Sequence, residues 1–303
     1  MQSLDITAII LTYNEELHIR RCLDRITPLV KEVFIIDSYS TDKTLDIAQQ
    51  YPNVHILQNK WENNYAKQFN WGLKNAPIST EWVLRLDADE YLTDELKREL
   101  VEKLGSVDDD VNGIIFPLRR VFLDRTIRRG MNRVKLLRLF KYGKAESETR
   151  LMDEHTQIRD GRTIEFENEF ADHNLNNLSW WTQKHVGYAI REAVDLLDME
   201  YNLTGAALTD ADKNIGAQAL SKRNKKHTYA KQPLFWRSFA YFVYRYFFKL
   251  GFLEGKEGFL WHFMQGWWYR TLVDAKVLEL KRASGGDATK LREILARDYG
   301  ISL

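Results

Sequence analysis

The first half of the chain alternates short apolar runs with segments whose apolar residues recur at helical spacing. Residues 6–11 (ITAIIL) are continuous and β-branched, the pattern of a parallel strand buried on both faces. Residues 33–36, 54–57, 82–86 and 113–117 repeat that pattern, and residues 136–141 (LLRLFK) read as a basic, apolar strand. Between them lie helices. Asn14-Glu15-Glu16 supplies a capping side chain and two first-turn acids for a helix whose apolar face is Ile19, Cys22, Leu23 and Ile26. Ser40-Thr41-Asp42 caps a second, running to about residue 50. Residues 65–74 form a third, and Thr93 caps a fourth from Asp94. Such repetition predicts an α/β fold with a mostly parallel sheet covered on both faces, and ligands that bind beyond the carboxyl ends of its strands.

The second half reads differently. Residues 119–150 are strongly basic, a helix is predicted from Ser179, and residues 201–232 are polar with weak patterning. A boundary there divides the chain into an α/β domain, 1–220, and a helical region, 221–303. Residues 234–252 (LFWRSFAYFVYRYFFKLGF) set Arg237, Tyr241, Arg245 and Lys249 four apart on a helix, a polar stripe amid Phe, Trp, Val and Leu. The apolar runs are shorter than the roughly 20 residues that cross a bilayer. This predicts a helix lying in the membrane interface, rings at headgroup level and cations toward lipid phosphates. Packing on the first domain or on another subunit is the competing reading.

Composition narrows the partners. With 44 basic and 43 acidic residues the net charge is +1, so a general nucleic-acid binder is not expected. Cys22 is the single cysteine, which excludes an intrachain disulfide and fits a reducing compartment, the cytoplasm. The N-terminus has no basic segment followed by an apolar run, so no signal peptide is expected.

The chemistry gathers at the strand ends. They carry Thr12-Tyr13-Asn14-Glu15, Asp37-Ser38-Tyr39-Ser40-Thr41-Asp42 and Asp87-Ala88-Asp89-Glu90. No glycine-rich phosphate loop is present, which removes the usual NAD and ATP readings. Asp87 and Asp89, two apart beyond a buried strand, suit a hard cation, Mg²⁺ or Mn²⁺, whose shell ligand phosphates complete.

These runs, with Asn70-Trp71-Gly72-Leu73 and WVLRLDADE at 82–90, match in order and spacing a known pattern: the chain resembles family 2 glycosyltransferases, and most of all bacterial enzymes of lipopolysaccharide-core and surface-polysaccharide synthesis. The resemblance implies a GT-A fold, a nucleotide-sugar donor with UDP favoured, and an inverting mechanism. It implies that Thr12, Tyr13, Glu15 and Ser40 line the donor, that Asp37 accepts a hydrogen bond from uracil, that Asp87 lies near ribose and metal, and that Asp89 binds the metal. Many relatives carry Arg just before the Asn of the third helix; here Phe69 stands there, leaving Lys67 for the phosphates. In Met152-Asp153-Glu154-His155 the resemblance points to Glu154 as general base, with Asp153 second, and it makes His173 a third metal ligand. The expected acceptor is lipid-linked or a surface polysaccharide, met at the inner face of the cell membrane. Two alternatives stay open: a non-catalytic nucleotide-sugar or glycan binder, and a membrane-surface scaffold.

Overall fold

The computed structural model describes residues 3–62, 64–148, 155–204 and 228–301. It divides into two compact units, one of residues 1–128 and 132–176, the other of 129–131 and 177–303. The boundary read at 220/221 falls in a stretch outside the described residues; the two compact units meet in sequence at 176/177. The helix after it, α5 (Leu178–Tyr201), buries Ala189, Ala193, Val194 and Leu197 in the second unit's core.

The first unit is built on one sheet. Strands β1 (Leu4–Thr12), β2 (Val30–Asp37), β3 (Val54–Gln58) and β4 (Trp82–Asp87) are parallel in the order β3-β2-β1-β4. Next come β8 (Lys135–Lys141), β6 (Val111–Phe122), β12 (Phe170–His173) and β5 (Glu90–Leu92), with β7 (Arg125–Ile127) and β11 (Arg162–Glu165) also paired to β6. Only β5, β7 and β8 run antiparallel to their neighbours. Side chains alternate across the sheet. Ile6, Ala8 and Ile10 of β1 pack with α1 (Ile19–Ile26), α2 (Thr44–Ala48) and α4 (Asp94–Lys103). Ile9, Phe34, Ile36, Val83 and Phe140 meet Phe69 of α3 (Tyr65–Asn75) on the other face. That second layer is close: a Cβ on Gly72 would stand 2.7 Å from Ile36 Cγ1. Separately, β9 (Ala145–Ser147) pairs antiparallel with β10 (Thr156–Ile158).

Two helix starts differ from the sequence reading. The first begins at Ile19, not at Asn14, which takes a φ of 55°. Asn tolerates that left-handed conformation better than most residues, and here it turns the chain into a loop. Likewise α2 starts at Thr44, whose N–H and hydroxyl both donate to Asp42 Oδ1, and it ends by Ala48. Thr93 caps α4 as read, accepting the Leu96 N–H.

In the second unit α5 packs with α8 (Tyr269–Ser284) and α9 (Ala288–Tyr299). Between α5 and α8 lie α6 (Trp236–Val243), a π-helical turn (Tyr244–Phe248), a 3₁₀ turn (Gly251–Glu254), α7 (Gly255–Trp261) and a second π-helical turn (His262–Trp268). No helix among the described residues is long and apolar enough to cross a membrane. The polar stripe of 237–249 exists, but its direction is corrected: two of its cations point into the protein. Arg237 and Asp274 form a buried ion pair, with Arg237 also donating to the Ala230 carbonyl at 2.9 Å. Arg245 is buried too, donating to the Gly130 carbonyl at 3.0 Å and to Gln265. Periodicity located the stripe, but it does not report where acceptors such as Asp274 lie. Around the stripe Trp236, Phe239, Tyr244, Phe247 and Phe248 are left exposed, while Phe242 is buried.

Candidate active site

The register of the three parallel strands brings the sequence-predicted acids to one edge. Thr12 pairs across from Asp37, and Leu11 across from Asp87. Thr12 is buried and its hydroxyl donates to Asp37 Oδ1 at 2.9 Å. Asp37 is fully buried, and it accepts as well from the Ser40 N–H (2.9 Å), the Ser40 hydroxyl (2.5 Å) and Gln58 Nε2 (3.3 Å). The uracil-binding role implied for Asp37 is therefore qualified. In this arrangement its carboxylate organises the strand-end turn, and a base could reach it only by displacing one of these donors.

The two loops that leave β1 and β2 are tied by exchanged bonds. Asn14 N–H donates to Ser40 Oγ (2.9 Å) and Thr41 N–H to Asn14 Oδ1 (2.8 Å). Glu15 N–H reaches Thr44 Oγ1 (2.7 Å), Glu16 N–H reaches Asp42 Oδ2 (3.0 Å), and Lys43 N–H reaches Glu16 Oε2 (3.1 Å). The acids expected in a first helical turn thus hold a loop. Glu15 also contacts His18 Nδ1 at 2.6 Å, while His18 Nε2 accepts the Leu175 N–H at 2.9 Å. The second bond leaves the imidazole proton on Nδ1, so buried His18 donates to Glu15. Tyr13, 60% exposed, stands clear of this lattice with its ring open to a ligand.

The Asp87-Ala88-Asp89-Glu90 turn is braced on every side. Glu90 Oε2 accepts the Asp87 N–H at 2.9 Å, and Glu90 Oε1 pairs with the buried Arg138. Arg138 Nη2 lies 3.6 Å from Asp87 Oδ2. Burial pushes the Glu90 carboxyl well above the usual carboxylate range, against the pull of Arg138. Arg21 Nη2 donates to the carbonyls of Asp89 (3.1 Å) and His173 (2.5 Å). The His173 N–H donates to the Asp89 carbonyl (3.1 Å), and Asn174 Nδ2 donates to Asp89 Oδ2 (3.0 Å). The His173 ring turns to Asp124, Nε2 to Oδ1 2.9 Å; burial, then Arg21, lowers its affinity for a proton.

Sequence reasoning quoted Glu90 without giving it work, and it missed Arg21, Arg138, His18 and Asn174 as supports. A single arginine inside the apolar run LLRLFK was the available signal for Arg138, because a charge in a buried strand demands a partner. Nothing local signalled Arg21 or Asn174, whose partners come from distant segments.

Among the described residues no three His, Cys, Asp or Glu side chains form a metal cage. The donors at the turn nevertheless fit a hard cation. Asp87 keeps 44% of its side chain exposed, and both carboxylates offer oxygen. Mg²⁺ and Mn²⁺ sites of this kind use one or two carboxylates and complete the shell with water and phosphate oxygens.

Other predicted residues stand elsewhere. Lys67, in the first turn of α3, is 53% exposed and pairs with Glu62 at 3.1 Å. The basic stretch is largely neutralised rather than open: Arg119 and Arg133 meet Glu169, Arg120 meets Asp172, Lys135 meets Glu165. Asp153 and Glu154 lie outside the described residues. The strands that flank them are fixed: Glu148 N–H donates to the His155 carbonyl at 3.0 Å. Asn70 pairs with the backbone of Ser147 through both amide atoms (2.8 and 2.9 Å), and Arg85 of β4 donates to Ser147 Oγ at 2.7 Å.

Comparison with known proteins is consistent with these strand ends. Residues 7–167, more than half of the chain, match the model of glycosyl transferase family 2. The SPbeta prophage-derived glycosyltransferase SunS of Bacillus subtilis is 35% identical over 98 residues, 32% of this chain and 23% of SunS. The lipopolysaccharide core biosynthesis glycosyltransferase LpsC of Rhizobium meliloti is 32% identical over 114 residues, 36% of this chain and 40% of LpsC. An uncharacterized glycosyltransferase of Rickettsia bellii is 25% identical over 265 residues, 84% of this chain and 80% of that protein. The chain's match thus spans less than a quarter of the length of SunS. By the extent of the family match the chain belongs to glycosyl transferase family 2, and its first unit carries the GT-A fold.

Proposed function

We propose that the chain transfers a sugar from a nucleotide-sugar, a UDP-sugar first among candidates, to a hydroxyl of a lipid-linked or surface-polysaccharide acceptor, with inversion at the anomeric carbon. The observation that carries this reading is the register of β1, β2 and β4, which aligns Thr12, Asp37 and Asp87 at one sheet edge. Thr12, Tyr13, Glu15 and Ser40 would line the nucleoside, Tyr13 by stacking its open ring. Asp89 and Asp87 would hold Mg²⁺ or Mn²⁺, which would supply positive charge for the departing diphosphate, and His173 would join them as a third ligand on turning its ring away from Asp124. Lys67 would approach the phosphates.

Glu154, with Asp153 second, is the proposed base. It takes the proton of the acceptor hydroxyl as that oxygen bonds to the anomeric carbon, opposite the breaking bond to the diphosphate. Support comes from the anchoring of the flanking strands to α3 and β4 through Ser147. The lipopolysaccharide-core assignment of LpsC supports the acceptor class, and the inner face of the cell membrane is the corresponding location. The test is a screen of UDP-, GDP- and dTDP-sugars for binding and hydrolysis, with and without Mn²⁺. Metal-dependent release of UDP from one donor is expected. Absence of nucleotide binding under every condition would discard the reading.

A further inference from the structure

We infer that the outward aromatic face of residues 235–259 in the second unit docks the protein on an anionic lipid bilayer. This deepens the membrane location proposed above by naming the surface that makes the contact. The residues that project are large and apolar, and they come from four successive elements: Trp236 (72% exposed) and Phe239 on α6, Phe247 and Phe248 (75%) on the π-helical turn, Phe252 and Leu253 on the 3₁₀ turn, and Phe259 on α7. Ring contacts make the face continuous. Phe239 and Phe242 pack on Trp267 with centroids 5.2 and 5.3 Å away, and Tyr246 meets Phe247 and Phe259 at 5.2 and 5.7 Å. Isolated exposed rings are ordinary, but a joined face of this kind marks an interaction surface.

Charge identifies the occupant. In residues 231–268 the arginines are withdrawn, Arg237 onto Asp274 and Arg245 onto Gly130 and Gln265. Glu254 is buried and accepts the Arg129 N–H, and Glu257 is 22% exposed beside Lys256. Among the described residues, the charged side chains of 231–268 that stay exposed are Lys231, Lys249 and Lys256, all positive. Aromatic rings with a cationic margin match the headgroup region of an anionic bilayer, where rings seat at the interface and each lysine gains from lipid phosphate. Because the guanidiniums are already paired inside, seating the rings does not strip water from them. A second copy of the chain is the less suited occupant, since self-association through this face would bring the lysines of both copies together without compensating acids.

The test is co-sedimentation of the full chain with vesicles of phosphatidylglycerol and phosphatidylethanolamine, against vesicles of phosphatidylcholine alone. Binding is expected to the anionic vesicles and to weaken with salt. The double variant Phe247→Ser/Phe248→Ser is expected to bind at least about tenfold more weakly, and Lys249→Glu/Lys256→Glu to lose the preference for anionic lipid. Circular dichroism and donor-sugar hydrolysis by both variants should match wild type. Failure of the wild type to bind anionic vesicles, or equal binding by the variants, overturns the inference. So does a concentration-dependent dimer that both variants abolish while vesicles stay unbound. Nucleotide binding is read separately, so failure of the transferase reading and failure of the docking surface are distinguishable.

Discussion

Glu90 Oε2 accepts the backbone N–H of Asp87 at 2.9 Å while its other oxygen pairs with Arg138. One buried side chain thereby fixes the turn that carries both candidate metal-binding carboxylates and the strand that lies beside β4. It touches no ligand in the proposed reaction. Its work is to hold Asp87 and Asp89 at a set spacing, as supports around a metal commonly do.

Replacing Glu90 separates that role from plain structure. Glu90→Ala leaves Arg138 buried without its carboxylate, and removing one partner of a buried pair costs about 3–5 kcal/mol. Glu90→Gln keeps an acceptor for the Asp87 N–H but turns an amide NH₂ toward Arg138, so it also loses the ion pair; it is expected to retain the fold with reduced stability, short of the loss in Glu90→Ala. Its turnover should drop by about tenfold, with a higher Mn²⁺ requirement. Urea unfolding and a metal titration of donor hydrolysis check both. Unchanged metal dependence in Glu90→Gln would reduce Glu90 to a structural residue.

Asp89→Asn tests the metal role directly. An asparagine oxygen can still accept from Asn174 Nδ2, which bonds Asp89 Oδ2 at 3.0 Å, so the turn should persist. What is lost is a negative oxygen for the cation. Turnover is expected to fall by about 100-fold, close to 2.7 kcal/mol of barrier, and UDP binding to lose its dependence on Mn²⁺. Calorimetric titration of UDP with and without metal reads the second effect. Full turnover in this variant would refute the assignment.

The sheet was legible because buried parallel strands write themselves as continuous apolar runs, and all five strands read from the first 120 residues are present. The strand-end acids were legible for the same reason, since each follows such a run. Other features depend on contacts between distant segments. Asn14 resembles a helix cap in sequence, yet its partners are Ser40 and Thr41, which redirect it into a left-handed turn. Arg237 and Arg245 kept their periodicity but not their expected direction, because Asp274, 37 residues beyond Arg237, decides which side of the helix is the inside. The supports of the Asp89 turn, Arg21 and Asn174, come from 68 residues before it and 85 after it.

Asn70 links the third helix to the proposed base segment. Both of its amide atoms pair with the backbone of Ser147, seven residues before Glu154. Asn70→Ala removes both bonds and leaves a strand N–H and carbonyl unpaired. A loss of about 1–3 kcal/mol is expected. The proposed mechanism adds a kinetic consequence: a misplaced base lowers kcat while donor KM stays near its original value. Steady-state kinetics with saturating acceptor measure the split. A rise in donor KM with kcat intact would place Asn70 with the donor instead.

His262 predicts acid sensitivity in the second unit. Its ring is fully buried against Gly130 and Gly251, and neither nitrogen finds a hydrogen-bond partner. Burial, then the nearby Arg245 charge, lowers its pKa from 6.5 to about 4. The unfolded chain therefore binds a proton at this residue between those values while the folded chain does not. Stability from the neutral ring is complete above pH 6.5 and declines as pH falls toward 4. Between pH 7 and pH 5 the loss reaches at most about 2 kcal/mol. Urea midpoints at the two pH values measure it in wild type and in His262→Leu, where the difference should shrink by that amount. An unchanged difference would mean that His262 is as easily protonated in the fold as in the unfolded chain, and that the acid response comes from other groups.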